Sequence, residues 1–221
     1  HEAVGIVAGV QSKGVGTSLK HFAANNQETD RLRVSANISQ RALREIYFPA
    51  FEHIVKTAQP WTIMCSYNRI NGVHSAQNRW LLTDVLRDEW GYEGIVMSDW
   101  GADHDRVASL NAGLNLEMPP SYTDDQIVYA ARDGRIQPEQ LDRMAQGMVD
   151  LVNKTRAAMS VENYRFDVDA HDEVAHQAAV ESMVLLKNDD DILPVAANAK
   201  IAVIGEFART PRYQGGGSSH I

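Results

Sequence analysis

The sequence of 221 residues contains a single cysteine, Cys65. One thiol cannot form an intrachain disulfide or a cysteine-only metal cluster, and it suits a reducing compartment, so we expect a cytoplasmic location. Positive charge is also scarce, because 21 lysines and arginines face 29 acidic residues and leave a net charge of −8. A nucleic acid or an anionic membrane surface is therefore not expected as the main partner, and a neutral ligand is favoured.

Long apolar runs and nucleotide-binding motifs are absent as well. No run approaches the roughly 18 residues that span a bilayer. The glycine-rich end, "KIAVIGEFARTPRYQGGGSSH", has neither G-x-G-x-x-G spacing nor a Gly-Lys-Ser/Thr element, so we expect no nucleotide cofactor. Asp103, His104 and Asp105 are adjacent in sequence and would not converge on one ion; we expect a solvated helix start there and no metal. The chain also lacks an initiator methionine and a signal peptide, which we interpret as a piece of a longer protein.

What is present is an alternation of short apolar runs with amphipathic segments. Strands are predicted in "VGTSLKHF", "WTIMCSYN", "GIVMSD" and "LNLEMP". Helices are predicted over 1–14, 39–58 (capped by Ser39 and kinked at Pro49), 78–90 (ended by Gly91), 103–112, 123–133 and 138–158. Such alternation implies parallel strands with right-handed crossovers, and four such units make about half of a (β/α)8 barrel.

The domain organisation follows from where the alternation of strands and helices stops. We assign residues 1–158 to the half barrel, 159–172 to a polar linker, and 173–221 to the start of a second α/β domain. That second section is predicted to hold a helix in "HQAAVESMVLLKN", a buried strand in "KIAVIGEF" and a glycine-rich loop. The predicted fold class is therefore α/β throughout.

Polar side chains gather at the predicted strand ends, which meet at one mouth of a parallel barrel. The candidates are Lys20 and His21 after the first strand, Met64 and Tyr67 with Asn68 after the second, Asp99 and Trp100 after the third, Glu117 after the fourth, and Asn25, Asn26, Glu28, Asp30 and Arg31 in the first loop. Such a set suits a neutral sugar, since cationic donors can bridge hydroxyls and an aromatic ring can stack on C–H groups. A carboxylate below, Asp99, could attack the anomeric carbon if nearby cations keep it ionised.

Each candidate also has a simpler interpretation. Asp99 could cap the next helix. Lys20 and His21 could be a solvated loop pair, and Trp100 could pack at a rim. Met64 and Tyr67 could belong to the core, while Cys65 is expected to be buried and inert. The meeting of three successive strand ends favours a site over these separate explanations.

Three stretches carry a resemblance to a known family: "KHFAANNQETDR", "SYNRINGVHSAQNRWLLTDVLRDEWGYEGIVMSDW" and "AGLNLEMP". They resemble glycoside hydrolase family 3, in particular its bacterial β-glucosidases. The resemblance implies a (β/α)8 barrel followed by an α/β sandwich, and hydrolysis with retention through a covalent glycosyl-enzyme. It implies that Asp99 is the nucleophile, with Trp100 as a wall of the glucose subsite, Lys20, His21 and Arg31 holding hydroxyls, and Met64 and Tyr67 lining the subsite. A contact from Ser218 or Ser219 is also suggested.

One departure from the family pattern bears on the acid/base. The β-N-acetylglucosaminidase branch has a "KHFPGHG"-type loop, whereas this chain has "KHFAANNQE" without that histidine. The resemblance therefore implies a glutamate acid/base from beyond residue 221, and it assigns that role to none of Glu28, Asp30 and Glu117. We expect release of terminal β-D-glucose from β-glucosides such as cello-oligosaccharides, with a complementary chain or second copy supplying missing parts. The alternatives are a β-xylosidase of the same family, or a truncated sugar-binding or assembly module without activity.

Overall fold

The computed structural model describes residues 1–159, 165–216 and 220. It divides into two compact units, His1–Tyr164 and Arg165–Ile221. None of the described helices is long and apolar enough to cross a membrane.

The first unit contains six short strands and six α-helices among its described residues. The strands are β1 (Ser18–Phe22), β2 (Ser35–Ala36), β3 (Thr62–Cys65), β4 (Arg69–Ile70), β5 (Val73–His74) and β6 (Ile95–Met97). The helices are α1 (Glu2–Gln11), α2 (Gln40–Ala42), α3 (Pro49–Ala58), α4 (Arg106–Ala112), α5 (Asp124–Arg132) and α6 (Pro138–Met159), with π-helical segments at Leu43–Tyr47 and Trp80–Glu89 and a 3-10 turn at Ser75–Gln77.

The main sheet is parallel and follows chain order. Strand β3 lies between β1 and β6, with Thr62 opposite both Ser18 and Ile95. Each strand is followed by helical structure before the next begins, which is the βαβ arrangement of a barrel segment. The predicted α/β class and the partial TIM-type barrel are confirmed.

The predicted fourth strand is reduced to a single parallel bridge, between Met97 and Leu116. The Oδ1 atom of Asn115 accepts the Val96 N–H at 2.9 Å, so a side chain replaces a main-chain ladder partner. Two prolines, Pro119 and Pro120, then supply no N–H group for further pairing. The bridge nevertheless fixes this segment beside the end of β6.

The helix signals in the sequence correspond to observed features. Ser39 caps α2 by accepting the Ala42 N–H on its Oγ at 3.2 Å. The helix then widens into a π segment before Pro49, with the Phe48 N–H donating to the Leu43 carbonyl at 2.8 Å. Gly91, at a φ of +72°, directly follows the helical segment Trp80–Glu89 and its cap residue.

A second, smaller sheet was not predicted. Strand β2 pairs in parallel with β4, and β4 pairs with β5 in a hairpin. The hairpin turn is Asn71-Gly72, where both residues have positive φ values, as a two-residue turn of this type requires. Ser75, directly after β5, shares a hydrogen bond of 2.8 Å with Ser66, directly after β3, so the two strand ends are linked.

The core of the first unit is built around aromatic rings. Phe22, Phe48 and Trp90 are buried, with ring centroids 5.5 to 6.0 Å apart. The two edge-to-face contacts, those of Trp90 with Phe22 and with Phe48, add to the stabilisation from burial alone. Because Phe22 ends β1, the same cluster fixes the strand that carries Lys20 and His21. Two peptide bonds of this region, Lys20–His21 and Phe22–Ala23, are cis.

The second unit differs from expectation. It contains α7 (Val168–Glu181), capped by Asp167, and short turns at Asp189–Asp191 and Glu206–Ala208. The buried strand predicted over 200–207 is wrong: residues 201–204 are irregular, and Ile204 is 92% exposed. No strand occurs among this unit's described residues, and a strand forms only against a neighbour. The predicted residues Ser218 and Ser219 lie outside the described part of the chain.

Candidate active site

Asp99 lies at the carboxyl end of β6 and is only 8% exposed. Its Oδ1 atom accepts the Trp100 N–H at 2.7 Å, and its Oδ2 atom lies 3.4 Å from His21 Nε2. The cap of the next helix, α4, is instead Asp105, which accepts the Ala108 N–H at 2.9 Å. The carboxylate of Asp99 is therefore not used as a helix cap, and one of its oxygens faces the imidazole of His21 in β1, two strands away in the sheet.

His21 reaches Asp99 from the end of β1. Burial lowers the pKa of His21, and the negative charge of Asp99 opposes that shift only in part, while Lys20 and Arg31 lower it further. The imidazole is therefore neutral at neutral pH. In the tautomer with the proton on Nε2, it can donate to Asp99 or to a hydroxyl of a ligand.

Tyr67 follows β3 and bridges two other candidates. Its hydroxyl donates to the Trp100 carbonyl at 3.0 Å, and the Arg31 guanidinium lies 5.0 Å from its ring centroid. Burial and the negative charge of Asp99 raise the pKa of Tyr67, so the phenol stays protonated as a donor. The ring thus joins the loop after β1 to the loop after β6.

The remaining predicted binding residues make no described hydrogen bond or ion pair with the Asp99 side chain, apart from the Trp100 N–H. Trp100 is 64% exposed, so its indole face is open for stacking. Lys20 is exposed, and its charge acts on His21. Met64 is half-buried opposite Met97 in the β3–β6 pair, and no described polar contact joins it to Asp99. The structure therefore brings together His21, Arg31, Tyr67, Asp99 and Trp100, and leaves Lys20 and Met64 at the margin.

The other carboxylates of this mouth are engaged by cations. Glu28 accepts from Arg31 at 2.7 Å and from Asn25 at 3.3 Å. Asp30 accepts from Arg33 at 2.5 Å. Glu117 pairs with Arg106 at 3.4 Å and accepts both the N–H and Oγ of Ser121. Each of these acids has a structural partner.

Arg106 is a residue that the sequence reasoning missed. Its guanidinium pairs with Asp103, Glu117 and Asp124 at 3.3 to 3.4 Å. The prediction that Asp103 belongs to a solvated helix start is wrong, because its side chain is only 1% exposed and also accepts the Ser109 hydroxyl at 2.7 Å. The three-residue spacing of Asp103 and Arg106 was the available signal.

Ser98 and Cys65 form the layer beneath Asp99. The Ser98 Oγ donates to the Met118 carbonyl at 3.1 Å and accepts the Met118 N–H at 2.7 Å. Burial raises the pKa of Cys65 to about 12, so its thiol is unreactive, as predicted. Within the described residues, no group of three His, Cys, Asp or Glu side chains could hold a metal.

Comparison with known proteins matches most of the chain to one family. Residues 2–151 match the glycosyl hydrolase family 3 N terminal domain, and residues 183–221 match the C-terminal domain of the same family. An exo-α-(1→6)-L-arabinopyranosidase of Bifidobacterium breve is 86% identical over all of this chain and 30% of its own length.

Two solved structures are similar along nearly the whole chain. A Bifidobacterium adolescentis GH3 β-glucosidase is 96% identical, with a TM-score of 0.96 over 100% of this chain and 32% of its own. The β-glucosidase 3B of Thermotoga neapolitana in complex with α-D-glucose is 40% identical, with a TM-score of 0.90 over 98% of this chain and 32% of its own. The chain thus spans about a third of the proteins it matches.

Proposed function

Since the chain belongs to glycosyl hydrolase family 3, we propose that it supplies the nucleophile and part of the sugar subsite of a retaining β-glucosidase. The observation that carries the proposal is the buried carboxylate of Asp99, which lies at a strand end beside His21 and the loop of Trp100. A reactive group at the carboxyl end of a barrel strand is where this fold places its chemistry.

The proposed reaction has two steps. A carboxylate oxygen of Asp99 attacks the anomeric carbon, the bond from that carbon to the leaving oxygen breaks, and an acid gives the leaving oxygen its proton. Water then attacks the same carbon, loses a proton to the acid's conjugate base, and releases Asp99. Because Oδ1 is held by the Trp100 N–H, Oδ2 is the oxygen available for attack.

The acid/base is proposed to come from outside residues 1–221. A retaining enzyme needs its second carboxyl group about 5–5.5 Å from the nucleophile. The three other carboxylates of this mouth, Glu28, Asp30 and Glu117, are held by arginines. Further chain, or a second polypeptide, would supply the missing group, in line with the fraction of its relatives that this chain spans.

The proposed sugar subsite consists of Lys20, His21, Arg31, Met64, Tyr67 and Trp100. Neutral His21 can donate to a hydroxyl, and the Tyr67 oxygen, whose proton goes to the Trp100 carbonyl, can accept from one. The exposed indole of Trp100 can stack on ring C–H groups. Glucose is proposed as the bound sugar because the two similar structures are β-glucosidases and one of them holds glucose.

A second candidate substrate rests on the Bifidobacterium breve relative, which is an α-L-arabinopyranosidase. Four aryl glycosides separate the possibilities, because they vary two features of the sugar independently: the hydroxymethyl group and the orientation of the 4-hydroxyl. β-D-Glucoside and β-D-xyloside share an equatorial 4-hydroxyl and differ in the hydroxymethyl group; β-D-galactoside and α-L-arabinopyranoside differ in the same way but carry an axial 4-hydroxyl.

We expect the highest kcat/KM on the β-glucoside, measured on the protein encoded by the complete reading frame. A preference for the arabinopyranoside would support the second candidate substrate, and a preference for the xyloside would indicate a β-xylosidase of the same family. Sugar binding without turnover of any of the four would indicate a non-catalytic module.

The nucleophile is tested with Asp99→Gly. We expect turnover to be lost and then partly restored by azide, which fills the space of the side chain and yields an α-glucosyl azide. Asp30→Asn is the matched control, since Asp30 lies in the same mouth but pairs with Arg33, and it should keep its activity. A glycine variant that turns over unaided would refute the assignment.

A further inference from the structure

Two histidines that the proposed reaction does not use lie with their rings in contact beside the site. The rings of His74 and His104 have centroids 4.1 Å apart at an interplanar angle of 42°. His74 lies in β5, seven residues after Tyr67, and His104 lies five residues after Asp99. The pair therefore joins the chain segment that carries Tyr67 to the segment that carries the proposed nucleophile.

The hydrogen bonds of His74 define its protonation state. Arg69 Nε donates to His74 Nε2 at 3.0 Å. A guanidinium can only donate, so His74 Nε2 must present a lone pair. The proton of the neutral ring is then on Nδ1, which faces the Tyr67 carbonyl at 3.5 Å.

Tyr67 is consequently contacted both by the β4–β5 hairpin, which carries His74, and by the loop after β6. Its carbonyl faces His74, and its hydroxyl donates to the Trp100 carbonyl at 3.0 Å. Trp100 and His104 belong to the same loop between β6 and α4. A shift of either imidazole would move the segments that hold the Tyr67 ring against the site.

We infer that His74 and His104 are positioning residues that hold Tyr67 in place only while His74 is neutral. The inference rests on the proposed function for its effect on catalysis, but the imidazole pair itself is a property of the fold. We call the contacts among Arg69, His74, His104 and Tyr67 the histidine clasp.

Protonation opposes the clasp in two ways. In the described part of the chain, the charged or titratable side chains that face His74 are Arg69 from β4 and His104 from the loop after β6. A protonated His74 would aim a donor at the Arg69 donor and would add a positive charge against both neighbours. Burial, His104 and Arg69 together lower the pKa of His74, in keeping with a ring held neutral.

The decisive variant is His74→Gln in the protein encoded by the complete reading frame. Its amide oxygen can accept from Arg69 where Nε2 does, but it cannot titrate. At pH 7 we expect kcat within about twofold of the wild type. The pKa of His74 lies below its ordinary value of 6.5, and one pH unit below the midpoint of its titration about one-tenth of the wild type has a neutral ring. Between pH 7 and that point, wild-type kcat should fall at least threefold more than that of the variant.

Two further variants separate positioning from simple loss of structure. In His74→Ala no side chain accepts the hydrogen bond from Arg69, so kcat should be lower at every pH. Glutamine restores that acceptor, so His74→Gln should recover the kcat that His74→Ala loses at pH 7. His53→Gln is the matched control: His53 is exposed and makes an edge-to-face contact with His1 at 5.3 Å, and its pH profile should match the wild type.

A measurement without substrate distinguishes this inference from the proposed function. In protein labelled with nitrogen-15 in histidine and tryptophan, NMR should show His74 as the Nδ1-protonated tautomer at pH 7, and the indole N–H signal of Trp100 should shift as His74 titrates. If these are seen but no glycoside is cleaved, the clasp stands and the proposed function fails. If glycosides are cleaved and His74→Gln leaves the pH profile unchanged, or if His74 is protonated on Nε2, the clasp is refuted.

Discussion

Replacing Ser98 with alanine should loosen the segment behind the proposed nucleophile by a calculable amount. Ser98 is fully buried, and its hydroxyl makes two bonds to Met118. The Met118 carbonyl keeps a second donor, the Gly101 N–H at 2.8 Å, but the Met118 N–H has no other recorded acceptor. Because Met118 is only half-buried, its N–H left without a partner costs about 1–2 kcal/mol, and the lost bond to the carbonyl costs about 0.5–1 kcal/mol more.

We therefore expect the local opening free energy to fall by about 1.5–3 kcal/mol, the sum of the two costs. At about 1.4 kcal/mol per tenfold, hydrogen exchange at Met118 should accelerate roughly 10- to 150-fold. Exchange measured by mass spectrometry on peptides covering 114–120 tests this. Ser12→Ala is the control, because Ser12 is exposed and bonds only within its own helix end. Equal exchange in Ser98→Ala and wild type would refute the role given to this serine.

Two further predictions concern stability. Gly94→Ala would place a methyl group 2.6 Å from the Trp61 carbonyl oxygen, so we expect a destabilisation of about 1–3 kcal/mol, seen as a lower Tm. Gly5→Ala is the control, because Gly5 lies in open space within α1 and its replacement should have no such cost. An unchanged Tm for Gly94→Ala would contradict the packing. The pKa values of His21 and His74 are lowered from 6.5, so the folded state binds fewer protons than the unfolded state. Stability should then be full above about pH 7 and decline as pH falls below 6.5; calorimetry showing a Tm that rises on acidification would contradict this.

The meeting of Asp99, His21 and Tyr67 was predictable because it follows from topology alone. Parallel strands in chain order bring their carboxyl ends to one edge, and each of the three residues sits at or just after such an end. Local chemistry also set the helix limits that were predicted, since Ser39 has a hydroxyl for capping and Pro49 has no N–H to continue the ladder.

The errors concern structure that depends on a partner distant in sequence. Nothing in "LNLEMP" indicates that the side chain of Asn115 would take the Val96 N–H and limit the fourth strand to one bridge. Residues 200–207 have the composition of a buried strand, yet an apolar run becomes a strand only where a neighbour accepts its hydrogen bonds.

Side-chain pairs across loops were equally hidden. Arg106 binds Glu117 and Asp124, which are 11 and 18 residues away. His74 meets His104 across 30 residues. The histidine contact arises only once the β6–α4 loop and the β4–β5 hairpin lie beside one another, and the Arg106 pairs only once α4 meets the segments that carry Glu117 and Asp124. Periodicity along the chain carries no sign of either.

Trapping the glycosyl-enzyme would show most directly which carboxylate reacts. A 2-deoxy-2-fluoro-β-glucoside slows release of the intermediate, and mass spectrometry of the proteolysed protein can locate the attached sugar. The peptide that spans 91–105 contains three aspartates besides Glu93, of which Asp103 is paired with Arg106 and Asp105 caps α4. We predict one fluoroglucosyl group on Asp99; a sugar on any other residue, or a fluoroglucosyl group attached to the Asp99→Asn protein, would contradict the account.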